Sequence, residues 1–130
     1  MVGIVVVSHS QRLAEGVVEL AQMMAPDAPV AAAGGLDDGT TGTSFEKIIY
    51  AIRDVYTEEG AAILVDLGSA VLTAEMAVET LPECRLELLD CPLVEGAVLA
   101  AMESRAGASL ETIMEKVQEA RSMKKLQVEE

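Results

Sequence analysis

The chain contains a single histidine, His9, set between Ser8 and Ser10 directly after the apolar run Val2–Val7. A carboxylate, Asp66, stands near the end of another apolar run, Ala61–Leu67, and is trailed by Gly68 and Ser69. An imidazole and an acid of this kind can share nucleophilic chemistry. The acid accepts a hydrogen bond from one ring nitrogen, which fixes the tautomer and leaves the lone pair of the other nitrogen free. It also steadies the positive ring that forms when that nitrogen takes up a phosphoryl group. Each residue has a simpler reading as well. His9 could be a turn residue, Asp66 a helix cap, and the glycines between Gly34 and Gly42 a flexible loop.

Other chemistries fit the residues poorly. No G-x-G-x-x-G follows the first apolar run and no GxxxxGK[ST] occurs, so dinucleotide and Walker-type sites are excluded. Asp37 and Asp38 would repel nucleotide phosphates. A receiver domain phosphorylated on Asp66 would need acidic residues after the first strand, where Ser8-His9-Ser10 stands instead. A serine nucleophile at Ser8, Ser10 or Ser69 would lack a second histidine and a G-x-S-x-G turn. Cys84 and Cys91 form no CxxC pair, and His9 is too isolated in sequence for a zinc cluster, so no metal is expected. The net charge of −13 opposes nucleic-acid binding, which depends on Lys and Arg neutralising phosphates. Such a surface favours a basic protein partner. No apolar run approaches the roughly 18–20 residues of a membrane span. The opening MVGIVVV lacks a basic leader and reads as a buried strand, not a signal peptide, which makes the cytoplasm the expected compartment.

The elements that must position these residues alternate along the 130 residues, consistent with one domain. Val2–Val7 is a continuous β-branched run of the kind covered on both faces. A helix from about Gln11 carries Leu13, Val17, Leu20 and Met24 as one apolar stripe. A short strand follows at Val30–Ala33. Thr43 and Glu46 form a T-x-x-E capping box for a helix with Phe45, Ile48, Ile49, Ile52 and Val55 inward. Ala61–Leu67 is the third strand, and the next helix points Val71, Ala74, Val78 and Leu81 inward. Arg85–Leu89 is the fourth strand. Pro92 sits in the first turn of a helix with Val94, Val98, Ala101 and Met102 on one side. Gly107 breaks that helix, Ser109 caps a last one, and the tail beyond about Lys125 is expected to fray. With only Phe45, Tyr50 and Tyr56 as aromatics, the core must be aliphatic.

Alternation of this kind predicts an α/β fold: a doubly wound, mostly parallel sheet with flavodoxin-like strand order and helices on both faces. In such sheets the functional crevice lies outside the carboxyl ends of the strands. That rule selects Ser8-His9-Ser10, the Gly34–Ser44 loop, Asp66 to Ser69, and Asp90 to Glu95. The flavodoxin-like order makes the first and third strands neighbours, which brings His9 within reach of Asp66. Helices starting just after His9 and at Ser69-Ala70 face the same crevice with free amides and positive dipole ends. Small residues there, Ser10, Gly68 and Ser69 among them, and the Gly-rich loop could hold a phosphoryl group without arginine.

The segments Val5-Val6-Val7-Ser8-His9-Ser10, Ala33-Gly34-Gly35, Gly42-Thr43-Ser44 and Asp66-Leu67-Gly68-Ser69-Ala70 resemble the mannose-family IIA phosphotransferase domains. Within that family they look like the phosphoryl-donor subunits of phosphoenolpyruvate-dependent dihydroxyacetone kinases. The resemblance runs in order over nearly the whole chain. It implies that His9 takes a phosphoryl group on Nε2 from the phosphocarrier HPr, itself charged by enzyme I, while Asp66 orients Nδ1. It implies delivery to ADP held on a nucleotide-binding kinase subunit, whose ATP phosphorylates dihydroxyacetone bound to a third subunit. No cofactor is then expected on this subunit. Gly35, Thr43 and Ser69 carry over as phosphate-side contacts, and the protein carries over as a homodimer. Some relatives append HPr-like and enzyme I-like domains, whereas these 130 residues hold one IIA-like unit. Two other roles remain open at this stage: the IIA component of a mannose-type sugar transporter, or a regulatory module read out through phospho-His9.

Overall fold

A computed structural model describes residues 1–127. Four strands, β1 (Gly3–Ser8), β2 (Val30–Gly34), β3 (Ala61–Val65) and β4 (Leu86–Leu89), form one sheet in the order β2-β1-β3-β4. Every pairing is parallel. This is the expected doubly wound, flavodoxin-like arrangement. Helices α1 (Gln11–Met24), α4 (Leu93–Arg105) and α5 (Leu110–Val117) cover one face, while α2 (Phe45–Val55) and α3 (Gly68–Glu79) cover the other. A short 3₁₀ turn, Gln118–Arg121, follows α5.

Cover on both faces explains the unbroken apolar sequence of β1. Ile4 and Val6 enter the core beneath α1 and α4, Val5 and Val7 enter the core beneath α2 and α3, and all four are fully buried. Full burial of such a side chain is worth about 1.5–3 kcal/mol. Strand β1 is therefore a rigid platform, and whatever stands at its carboxyl end is held firmly. The chain leaves β1 for β2 on one side and returns to β3 on the other. The reversal of strand order thus falls between β1 and β3.

The inward helix faces differ from the expected stripes. Of Leu13, Val17, Leu20 and Met24 on α1, only Val17 is buried, and the buried face is Ala14, Val17 and Ala21. On α3 the buried residues are Ala70, Ala74 and Ala77, with Val71 and Val78 only half-buried, although Leu81 beyond the helix is buried as expected. On α4 they are Gly96, Ala97, Ala100, Ala101 and Ser104, while Val94 and Met102 are exposed. For α1, backbone proximity is the reason. A Cβ at Gly34 would stand 2.7 Å from the Ala14 Cβ and 2.8 Å from the Gln11 Cα. A helix this close to a small-residue strand (Ala31-Ala32-Ala33-Gly34) admits alanine between the layers and leaves the larger side chains at the rim.

Two helix starts also differ. The cap of α2 is Ser44, whose Oγ accepts from the Lys47 amide at 3.2 Å. Thr43, one residue earlier, meets the Thr73 hydroxyl at 3.1 Å, so its capping box with Glu46 does not form. Pro92 is the residue preceding the first turn of α4, where its carbonyl accepts from the Gly96 amide at 2.8 Å. Ser109 caps α5 as expected. Lys125 pairs with Glu95 at 2.8 Å, which ties the start of the tail to α4, and the rest of the expected frayed segment, 128–130, lies outside the described residues.

Candidate active site

His9 is the first residue beyond β1, and Asp66 the first beyond β3. Val7 pairs with Val65 in the ladder, so the parallel register carries the two functional residues to the same level. The Asp66 amide donates to the Val7 carbonyl at 3.1 Å, extending the pairing by one step. The rings and loops meet at the reversal of strand order, where open α/β sheets form their ligand crevice.

Asp66 accepts four hydrogen bonds. Its Oδ1 receives the Leu67 amide at 2.7 Å and lies 3.0 Å from His9 Nδ1. Its Oδ2 receives the His9 amide and the Ser8 hydroxyl, each at 2.9 Å. Burial by itself would push the pKa of this carboxyl up. The bonds from the His9 backbone, the His9 ring, Ser8 and Leu67 together outweigh it and hold the group below its usual range. Asp66 is therefore an ionised, acceptor-only group at neutral pH, and the shared proton sits on His9 Nδ1. The Nε2 lone pair faces the other way, toward the exposed Ser69 hydroxyl at 2.8 Å. The His9 side chain is 26% exposed and that of Asp66 11%, so the imidazole opens partly to solvent while the acid behind it is largely sheltered.

The residues expected around the phosphoryl group are distributed as follows. Ser69 is the second residue of α3, and the amides of Gly68 and Ser69 have no intrahelical acceptor because they open the helix. Both residues are exposed. Ser10 is the cap of α1, and its Oγ accepts from the Leu13 amide at 3.2 Å. Gly35 has a φ of +67°, which favours glycine, and its amide donates to the Ser8 carbonyl at 3.1 Å. At the far end of the loop the Gly42 amide donates to the His9 carbonyl at 2.9 Å, placing Thr43 next to that anchor. The Gly-rich loop is thus pinned at both ends to the backbone around the imidazole. Asp90, the fourth strand-end residue, lines a cleft that it shares with Asp66, Leu67, Gly68 and Val71.

Two contributors escaped the sequence reading. Lys47 donates from Nζ to the carbonyls of Gly34 at 3.0 Å and Leu36 at 3.3 Å, fastening the loop to α2. The only signal for it was its place one turn inside that helix. Ser8 is fully buried and bonds Asp66, and although the strand-end rule selects its position, the sequence gives no sign of that bond. Cys91 is inert by contrast: burial, with the Asp90 charge adding to it, pushes its thiol up to about 11. Among the described residues, no group of three or more His, Cys, Asp or Glu could hold a metal ion, and no helix is long and apolar enough to cross a membrane.

Residues 3–114 match the EIIA-man family, described as the PTS system fructose IIA component. The chain belongs to the EIIA-man family. Among EIIA-man relatives, the phosphoryl donor subunit DhaM of the PEP-dependent dihydroxyacetone kinase of Escherichia coli K12 is 40% identical over 121 residues. That match covers 88% of this chain and 26% of the relative, so the chain spans about a quarter of that protein. DhaM of dihydroxyacetone kinase 2 from Listeria innocua is 39% identical over 121 residues, covering 90% of this chain and 97% of the relative. A solved structure, the protein of unknown function EF1359, has a TM-score of 0.79 and 32% identity, covering 92% of this chain and 94% of its own.

Proposed function

We propose that this EIIA-man chain is the phosphoryl donor subunit of a phosphoenolpyruvate-dependent dihydroxyacetone kinase, working through a phosphohistidine at His9 Nε2. The observation that carries the reading is the opposed use of the two ring nitrogens, Nδ1 on Asp66 and Nε2 at the exposed mouth. In loading, the Nε2 lone pair attacks the phosphorus of a phosphorylated donor protein, HPr by the family resemblance. The N–P bond forms as the donor's bond to phosphorus breaks, and the electron pair returns to the donor. The ring becomes positively charged, and the Asp66 carboxylate bonded to Nδ1–H lowers the energy of that charge.

In unloading, a terminal oxygen of ADP bound on the nucleotide-binding kinase subunit attacks the phosphorus. The N–P bond breaks, its electron pair returns to Nε2, and the ATP so formed phosphorylates dihydroxyacetone on the third subunit. Ser69 turns from Nε2 to the incoming phosphoryl oxygens, with the amides of Gly68 and Ser69 beside it. Nucleotide stays on the partner, and this chain supplies no cofactor. The relay operates in the cytoplasm. The same family reading makes the chain a homodimer, and the exposed Leu13, Leu20, Met24 and Met102 leave apolar surface for such an association.

Reconstitution tests the whole scheme. The chain is mixed with phosphoenolpyruvate, enzyme I, HPr, both kinase subunits and dihydroxyacetone. Acid-labile label on His9 followed by dihydroxyacetone phosphate is the expected result. Label that forms and is never delivered to the kinase subunits would instead favour a regulatory module, and delivery only to a sugar transporter would make the chain a transport component.

A further inference from the structure

We infer that Ser8 is a positioning residue for this phosphotransfer, holding the Asp66 carboxylate in the plane that presents Oδ1 to His9 Nδ1. The inference rests on the phosphohistidine reading of His9.

Ser8 and Ser104 are the buried polar residues of the core, and both are fully buried. Ser104 has a structural partner, the Val2 carbonyl. Ser8 bonds the catalytic acid instead. A hydroxyl has one proton to give, and Ser8 gives it to Asp66 Oδ2 at 2.9 Å. The Ser8 oxygen also accepts the Ser10 amide at 3.0 Å, at the cap of α1. One side chain therefore links the end of β3 to the start of α1 from inside the sheet.

The division of Asp66's partners shows what this link does. Oδ1 is committed to the His9 ring and the Leu67 amide, and Oδ2 to the His9 amide and Ser8. Three of those donors belong to the local backbone or to the ring being oriented. Ser8 is the independent side-chain donor, anchored by a strand whose residues are buried throughout. Removing its hydroxyl would leave Oδ2 with the His9 amide alone and would free the carboxylate to turn about its last torsion. The Ser10 amide would lose its acceptor in the same step. The Ser8 hydroxyl bonds Asp66 and the Ser10 amide rather than the ring itself, so its influence on Nε2 passes through Asp66.

The experiment compares Ser8→Ala and Ser8→Thr with the wild-type chain, in the unphosphorylated state and in HPr-dependent labelling. In wild type, ¹⁵N spectra of His9 should show the Nδ1–H tautomer. Ser8→Ala should give a mixture of tautomers, move the ¹³C titration of the Asp66 carboxyl to higher pH, and slow labelling roughly tenfold, as expected for loss of one bond to a charged group. Ser8→Thr keeps the hydroxyl on a β-branched residue suited to a strand and should restore all three. In an Asp66→Asn background, Ser8→Ala should slow labelling no further, since the coupling runs through that acid.

A folded Ser8→Ala chain with unchanged tautomer and unchanged Asp66 titration would overturn the inference. So would an equal slowing in the Asp66→Asn background. Should Ser8→Ala fail to fold, Ser8→Cys preserves most of the volume with a weaker donor and gives the same readouts. A wild-type chain that takes no label would defeat the phosphohistidine reading, while the tautomer and titration would still decide the role of Ser8.

Discussion

The imidazole of His9 is engaged at both nitrogens, by an ionised acid inside and a hydroxyl outside. In the proposed relay the outer contact is the one exchanged for phosphorus, and the inner one stays in place. His9→Ala should abolish acid-labile labelling while circular dichroism and the melting temperature stay near wild type, because the ring is not part of either core. Asp66→Asn keeps the shape but loses the charge and should slow transfer by about 10²-fold or more, in a single-turnover assay. The acid also links the site to stability. Its carboxyl is held below the ordinary value of about 3.9, so it binds a proton more weakly in the folded chain than in the unfolded one. Its stabilisation is complete above that ordinary value and is lost as pH falls through the lowered one. Thermal unfolding of wild type and Asp66→Asn should therefore differ at pH 7 and converge in strong acid. Cys91, held protonated by burial, should resist alkylation of the folded chain at mildly alkaline pH, as peptide mass spectrometry would show.

At the scale of elements, the close approach of α1 to β2 positions the loop that frames His9. Gly34→Ala would drive a methyl group against the Ser10 carbonyl, the Ala14 Cβ and the Gln11 Cα, two of them backbone atoms that cannot swing aside. Such overpacking costs about 1–3 kcal/mol, and calorimetry should record a lower melting temperature for this variant. The same closeness explains what could be read from the chain and what could not. His9, Asp66 and Ser69 follow from the strand-end rule, because β1 and β3 are long, apolar and unambiguous. The inward face of α2 follows from periodicity, with Ile48, Ile52 and Val55 buried, but those of α1, α3 and α4 do not, since periodicity favours the largest apolar residues. Leu13, Leu20 and Met24 match a helical stripe, yet the sheet admits only Ala14, Val17 and Ala21. Interlayer distance is a tertiary quantity that no local pattern carries. Ser44 replaced Thr43 as a cap for a related reason: Thr43 found a partner on α3, distant in sequence. Ser8 was hidden because a buried serine has a role only once its partner is known.

Over the whole molecule, the net charge of −13 surrounds the ring nitrogen that the proposed relay presents to other proteins. A surface of one sign speeds encounter with a basic partner and loses that advantage when salt screens it. Stopped-flow loading by a phosphorylated donor protein should slow roughly tenfold between about 0.01 M and about 1 M salt, with little change in the melting temperature. The ring's inward and outward nitrogens carry one more consequence. In the proposed relay a single electron pair would serve both arrival and departure of phosphorus, so the donor and the recipient would compete for one berth. Turnover must then alternate between two binary encounters, with parallel double-reciprocal plots, and a surplus of unloaded recipient should throttle the cycle by occupying the empty carrier.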